Sequence, residues 1–275
     1  MANHVMNRVH LSGEQSRIVA LRETVRCEDG ELGTMDFNKL IPMPECLKVT
    51  SGSIETASIN VYLSALNPMN FGFPWQENMP TRVMGSVVAK LAECEQVLHL
   101  QTNLTREEAE KLAECFRISD PDMDLDKLVK TGKQYIDNVM EYGVTSWYEW
   151  ACRFWGSKWN AVRSDLTAEN ELNFETAWSR VMPVISKMAE KFPDVEIEYR
   201  WADEDFGCNV GCAKFSGGKL VSDDWPEPCS KEAFELAADV WGGTVEEFGF
   251  RLNEDTGNYE YFDGENTYVP EVTDG

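Results

Sequence analysis

Two segments far apart in the chain alternate apolar and polar side chains, and that period constrains the fold more than any other feature. In DVEIEYRWADED, residues 194–205, Val195, Ile197, Tyr199 and Trp201 share one side. In NHVMNRVHLSG, near the start, Val5, Asn7, Val9 and Leu11 stand opposite His4, Met6, Arg8 and His10. A period of two predicts strands whose two faces meet different surroundings.

Between them the period changes. EQSRIVALRETVRC spaces Ile18, Leu21 and Val25 for a helix, with Glu14 in its first turn. DFNKLIPMPE carries two prolines in an apolar context and predicts an extended, buried loop. KWNAVRSDL and ELNFETAW read as two strands of a hairpin about TAEN. VMPVISKMAEKF is a predicted helix with Pro183 near its start, where a missing amide costs nothing. The order is β-α-β-β-α-β, the plan of an α+β ferredoxin-like domain with an antiparallel sheet and helices on one face.

This domain is expected over residues 1–225, interrupted at about 50–146 by a helical insertion. There TRVMGSVVAKLAECEQVLHL, TREEAEKLAECF and DLDKLVKTGKQYIDNVMEYG all have helical periodicity, and NPMNFGFPWQENMP is loop-like. TREE is a capping box, Thr105 answering first-turn amides and Glu108 reaching back. Residues 226–275 form an acidic α/β extension expected to pack on the same domain. It follows a glycine-turned hairpin, CAKFSGGKLVSDD. It holds a helix capped by Ser230 and a hairpin about Thr256-Gly257-Asn258.

WYEWACRFWGSKWNA, residues 147–161, concentrates tryptophan. Trp147, Trp150, Ala151, Phe154 and Trp155 recur at the spacing of one broad helical face, and Gly156 suits the stop. Trp150, Phe154 and Trp155 are expected to be buried. Trp147, Trp150, Trp155, Trp159, Trp178 and Trp201 are expected to pack helix on sheet, each with its N–H on a polar partner. A ligand-binding platform would instead need exposed rings beside Lys and Arg.

The net charge of −23 is unevenly spread: residues 201–275 hold 18 acidic and 4 basic side chains. Such a surface repels nucleic acid and anionic membranes and suits a basic groove on another protein. Hydrophobic residues at 43% are enough to fill a core. No run approaches the roughly 20 apolar residues of a membrane span. The N-terminal MANHVMNRVHLSG has no apolar stretch of a secretory signal, so a cytoplasmic protein with reduced thiols is expected. Of eight cysteines, only Cys208 and Cys212 are close in sequence, and no histidine joins them at zinc-ligand spacing.

Taken together, NHVMNRVHLSG, MDFNKLIPMPE, WYEWACRFWGSKWNA and FETAWSRVMPVISKMAEKFPDVEIEYRWADEDFGCNVG resemble the YubB ferredoxin-like domain family. The resemblance covers the first 45 residues and about 147–225. It implies the fold derived above and a plasmid or phage origin, a genetic context rather than a mechanism.

Three clusters are candidates for chemistry. Asp203, Glu204 and Asp205, with Asn209 close behind, offer the oxygen density that suits Mg²⁺ or Ca²⁺; the competing reading is a strand end whose acids cap turns. Lys158 and Asn160 are expected on one side of an outgoing strand, Lys158 pairing with Asp203 or Asp205 or binding an anion. Asn3, His4 and Asn7 put a histidine beside amides, an acid–base arrangement if it is not simply structural. No phosphate loop, HExxH or paired CxxC occurs, and neither a cofactor nor a resident metal is expected.

The function expected is that of an accessory protein acting by binding. Its partner would be a host protein with a basic surface, such as a defence nuclease. Glu254, Asp255, Tyr259, Tyr261, Asp263 and Glu265 would form the contact. The competing readings are a metal-dependent hydrolase built on Asp203, Glu204 and Asp205, and a small-nucleotide sponge built on the aromatics and Lys158.

Overall fold

A computed structural model describes residues 3–27, 35–65, 104–117, 120–165 and 168–262. The chain divides into two compact units, residues 1–42 with 151–275, and residues 43–150.

In the first unit the alternating segments form β1 (His4–Ser12) and β4 (Glu196–Asp203). Between them in the chain come α1 (Gln15–Val25), then, after residue 150, β2 (Val162–Asp165), β3 (Glu171–Ala177) and a helix at Met182–Lys191. All neighbours are antiparallel, in the order β2-β3-β1-β4. This is the ferredoxin-like arrangement, and the fold class is α+β. β5 (Gly211–Ser216) and β6 (Lys219–Asp224) extend the sheet beyond β4. Their turn places Gly217 and Gly218 at φ +60° and +78°, the left-handed pair a two-residue hairpin needs.

The alternation decides what each face covers. Val5, Val9, Leu11, Ile197, Tyr199 and Trp201 are buried, as are Ile18, Leu21 and Val25 of α1 and Val184, Ile185 and Met188 of the Met182–Lys191 helix. Asn7 is buried among them, so its amide must be fully bonded. It donates to Val5 O (2.8 Å), Phe174 O (3.3 Å) and Thr176 Oγ1 (2.9 Å), and accepts from Tyr199 Oη (2.6 Å). The same tyrosine oxygen accepts from Val181 N at 3.0 Å, which seats the helix start on the sheet.

The opposite face meets the C-terminal helix Lys231–Trp241, whose Ala233, Ala237 and Val240 pack with Ala202 and Met6. Ser230 caps it, accepting from Ala233 N at 3.2 Å, and Gly242 at φ +81° ends it. Arg8 and Arg200 hold its last turn, donating to Asp239 O (2.8 Å) and Asp239 Oδ2 (2.5 Å). A final hairpin, Phe250–Asn253 with Asn258–Tyr261, lays Phe250 and Tyr259 on Phe234, Ala238 and Val245.

The second unit is helical: Ser53–Ala65, Arg106–Arg117 and Leu125–Tyr142 share a core around Val61, Leu128, Tyr135 and Ile136. The capping box forms as read, with Thr105 N donating to Glu108 Oε2 at 2.7 Å and Glu108 N to Thr105 Oγ1 at 3.3 Å. The helix expected at 81–100 and the loop at 67–80 lie outside the described residues. No described helix is long and apolar enough to cross a membrane.

Two local expectations are corrected. DFNKLIPMPE is not extended throughout, because short 3-10 turns form at Phe37–Lys39 and Glu45–Leu47. Each begins beside a residue that favours a turn, Asp36 bonding Asn38 N and Pro44 fixing its own φ. The strand expected from Lys158 starts only at Val162, since the helix Trp147–Phe154 is followed by Gly156 at φ +84° and a run of bends.

Candidate functional site

The sheet register brings three chain segments together at one end. His4 lies opposite Ala177, and Val5 opposite Asp203. Trp178 N donates to Asn3 O and Glu204 N to His4 O, both at 2.9 Å, carrying the ladders one step further. Asn3, His4, Trp178, Asp203 and Asn209 therefore converge where β1 begins and β3 and β4 end.

Asp203 is the organiser, only 4% exposed. Its carboxylate accepts from Asp205 N (2.9 Å), Asn209 Nδ2 (2.9 Å) and Asn3 Nδ2 (3.3 Å). That is a turn-capping carboxylate with its lone pairs engaged. Glu204 and Asp205 are exposed, and among the described residues no three His, Cys, Asp or Glu side chains are grouped to hold a metal ion. The hydrolase reading needed three acids meeting at one point; the turn instead sends them apart.

What Asp203 supports is Trp178. Asn209, held by Asp203, donates its other amide hydrogen to Trp178 O at 3.1 Å. Asn209 and Trp178 have φ +42° and +66°, the left-handed region. For an indole-bearing residue that conformation costs of the order of 1–3 kcal/mol and persists only where surroundings impose it. Here bonds from Asn3 and Asn209 impose it, and the Trp178 ring stands 40% exposed. The packing expected of this tryptophan is thus corrected: its backbone turns it out of the core.

Lys158 lies beside it, Nζ 5.1 Å from the Trp178 ring centre and 5.4 Å from that of Trp159. Among the described residues Lys158 has no carboxylate partner, so the expected pairing with Asp203 or Asp205 does not form. The ammonium lies instead near two indole rings, an arrangement that favours a cation. Trp159 Nε1 and Trp201 Nε1 are buried and find no acceptor among the described residues, against the expectation that each indole N–H would be bonded. Trp155 does as expected, donating to Ile41 O at 2.9 Å. Trp150 and Trp155 are buried; Phe154 is half-buried.

Asn160 is structural. Its Oδ1 accepts from Phe37 N (2.8 Å) and Ala161 N (2.9 Å), and its Nδ2 donates to Asp36 Oδ1 (2.6 Å). His4 Nδ1 stands 2.9 Å from Glu175 Oε2 but out of line for a hydrogen bond, and Arg163 Nη1 reaches the same oxygen at 2.9 Å. Glu175 is buried, so Arg163 is its charge partner, a residue the sequence reading did not single out.

Among the expected contact residues, Glu254 and Asp255 sit exposed in the last hairpin, and Tyr261 is 72% exposed. Tyr259 is taken up internally, its ring 6.0 Å from that of Phe234. Asp263 and Glu265 lie outside the described residues.

A cavity of about 300 Å³ opens on the outer sheet face, lined by Arg8, His10, Glu171, Glu198, Arg200 and Asp239. Arg200 spends its donors on Glu198 and Asp239, which makes this cavity mainly an ion-pair seam holding the C-terminal helix.

The match to a family model agrees with this fold. Residues 154–244 match the ferredoxin-like domain in Api92-like protein. The matched span runs from the end of the tryptophan-rich helix, through β2 to β6, to just past the C-terminal helix. The crystal structure of a protein Api92 from Yersinia pseudotuberculosis is similar at a TM-score of 0.36 and 10% identity, over 82% of this chain and 99% of that one. No curated protein matches the chain.

Proposed function

We propose that the protein works by binding a partner protein with a basic surface, and that its C-terminal hairpin is the contact. One observation carries this reading. The hairpin exposes Leu252 (44% exposed) one residue pair from a turn whose Glu254 and Asp255 have no basic partner among the described residues, and Tyr261 at its open end, opposite Phe250. Apolar anchors rimmed by unneutralised acids are what a basic, partly apolar groove would take up. The charge of residues 201–275 adds long-range attraction toward such a groove.

The resemblance to the YubB family supports a plasmid- or phage-encoded accessory role in a bacterial cytoplasm. Within that role the fitting partner is a host nucleic-acid-binding protein, such as a defence nuclease, whose groove would receive carboxylates in place of phosphates. Affinity capture from host lysate at low and high salt tests this, followed by competition with duplex DNA. The reading expects a partner lost at high salt and displaced by DNA. Partners indifferent to both would contradict it.

Trp178 favours a second reading, a small anionic aromatic ligand stacked on its exposed ring with Lys158 as counter-charge. Titration with a nucleoside monophosphate should then quench indole fluorescence in the native protein and not in Trp178→Ala. No quenching in the native protein would remove it.

A further inference from the structure

The sequence pairs Cys208 with Cys212, but the fold pairs it with Cys229. Cys208 lies in the loop after β4 and Cys229 in the turn before the C-terminal helix, and their Sγ atoms are 3.7 Å apart. Cys212 is on β5, opposite Asp224.

The backbone is arranged around this meeting. Cys229 has φ +58°, a region a side-chain-bearing residue enters at a cost. Its amide donates to Gly207 O at 2.9 Å, and its carbonyl accepts from Asn258 Nδ2 at 2.9 Å. Cys208 N is bound in turn to Asp205 O at 2.9 Å. Both cysteines are thus held by bonds other than any between the sulfurs. A disulfide needs its sulfurs about 2.05 Å apart, so closure has only to bring together two sulfurs already in contact.

We propose that Cys208 and Cys229 form a dithiol–disulfide modification site that takes a small disulfide oxidant such as oxidised glutathione. Cys229 is exposed and is the entering thiol. Its thiolate attacks one glutathione sulfur, breaking that S–S bond, forming a mixed disulfide and releasing one glutathione. Cys208 thiolate then attacks Cys229 Sγ and releases the second. Two protein thiols are oxidised, one glutathione disulfide is reduced to two thiols, and the two protein protons end on the two glutathiones. Burial pushes the Cys208 thiol up to about 11, with the neighbouring Cys229 and Asp205 acting in the same direction. Cys208 is therefore the resolving thiol and its step the slow one. The bridge would tie the end of β4 to the start of the C-terminal helix, and through Asn258 to the last hairpin. The site stands independently of the proposed docking surface.

The test treats the full, folded chain with oxidised glutathione, quenches by alkylation and maps tryptic peptides by mass. Lys214 and Lys219 separate the two cysteines, so an unbridged pair falls on different peptides. The expected product is one cross-linked pair, two hydrogens lighter than its parts, forming about tenfold faster per pH unit below the Cys208 range. Cys208→Ser should stop at a glutathione adduct on Cys229, and Cys212→Ser should close as the native chain does. A native chain that keeps the adduct on Cys229, reacts at neither residue, or bridges Cys208 to Cys212 overturns the proposal.

Discussion

Tyr199 gives its hydroxyl hydrogen to Asn7 Oδ1 at 2.6 Å, between two strands and beneath a helix, where neither residue meets solvent. The bond is one member of a closed set, because Asn7 also serves Thr176 and Tyr199 also serves Val181. Burial raises the Tyr199 pKa far above its usual range, which keeps the phenol a donor at neutral pH. Asn7→Leu leaves the Tyr199 hydroxyl without its acceptor and Thr176 Oγ1 with its bond to Ser179 O alone. It should cost about 2–3 kcal/mol, measured by urea unfolding, the scale of a buried polar group left unmade. Tyr199→Phe, which also strands Val181 N, should cost a similar amount.

Two tryptophans should answer truncation in opposite ways. Trp155 is 4% exposed and lies edge-on to Phe37 at 5.8 Å, so Trp155→Ala should cost about 3–5 kcal/mol. Trp178 carries backbone strain and is ten times as exposed as Trp155, so Trp178→Gly should cost clearly less than Trp155→Ala in the same melt. Equal losses at both sites would mean that Trp178 is packed after all.

The helical unit carries an inverted pH signal at Glu55. Burial raises its pKa, Thr145 and Ser146 hydroxyls pull it down, and the nearby Glu149 charge raises it further. Thr145 has one hydroxyl hydrogen for two carboxylates, Glu55 at 2.6 Å and Glu149 at 3.0 Å. With the folded pKa above the unfolded one, the folded state binds the proton more tightly. Its stabilisation is full below the ordinary glutamate range and is lost as pH rises through the folded value. Glu55→Gln should therefore flatten the decline in stability between mildly acidic and neutral pH. Glu198 has the opposite sign, because the Arg200 hydrogen bond holds its pKa low; its contribution is lost as pH falls through that lowered value. Thermal melts of Glu55→Gln and Glu198→Gln across pH separate the two signs.

The strands were legible because alternation is read directly from burial, and the caps because Thr105-Glu108 and Ser230 leave local chemistry in the chain. The candidate site was half legible. Asp203 and Asn209 stand out by their density of oxygen and amide groups, and both a metal site and a turn cap are readable there, since a buried acid serving a turn has the same spelling as a metal ligand; the bond from Asp205 N shows the turn cap. Trp178 is expected in the core because nothing in AWSRV announces a left-handed backbone; the bonds that impose it involve Asn3 and Asn209. Cys229 was missed for the same reason of distance. The bends after Gly156 read as strand because Lys158, Trp159 and Asn160 alternate in polarity by coincidence, Asn160 being turned inward to bond Phe37 N.

Charge predicts that the native protein does not bind duplex DNA or RNA. Residues 201–275 oppose the phosphate backbone, and the chain has no basic stripe to release counterions. Electrophoretic mobility of an arbitrary duplex at physiological salt should be unchanged by the protein; micromolar retardation would contradict this.

Docking of a basic partner by the last hairpin is tested by association kinetics across salt with Glu254 and Asp255 both changed to Lys. Both side chains are exposed in the turn, so the fold should persist, checked by an unchanged melt. With a partner captured from host lysate, the variant should associate at least tenfold more slowly at low salt and lose most of its salt dependence. A variant that binds that partner at the native rate, with the native salt response, would contradict it.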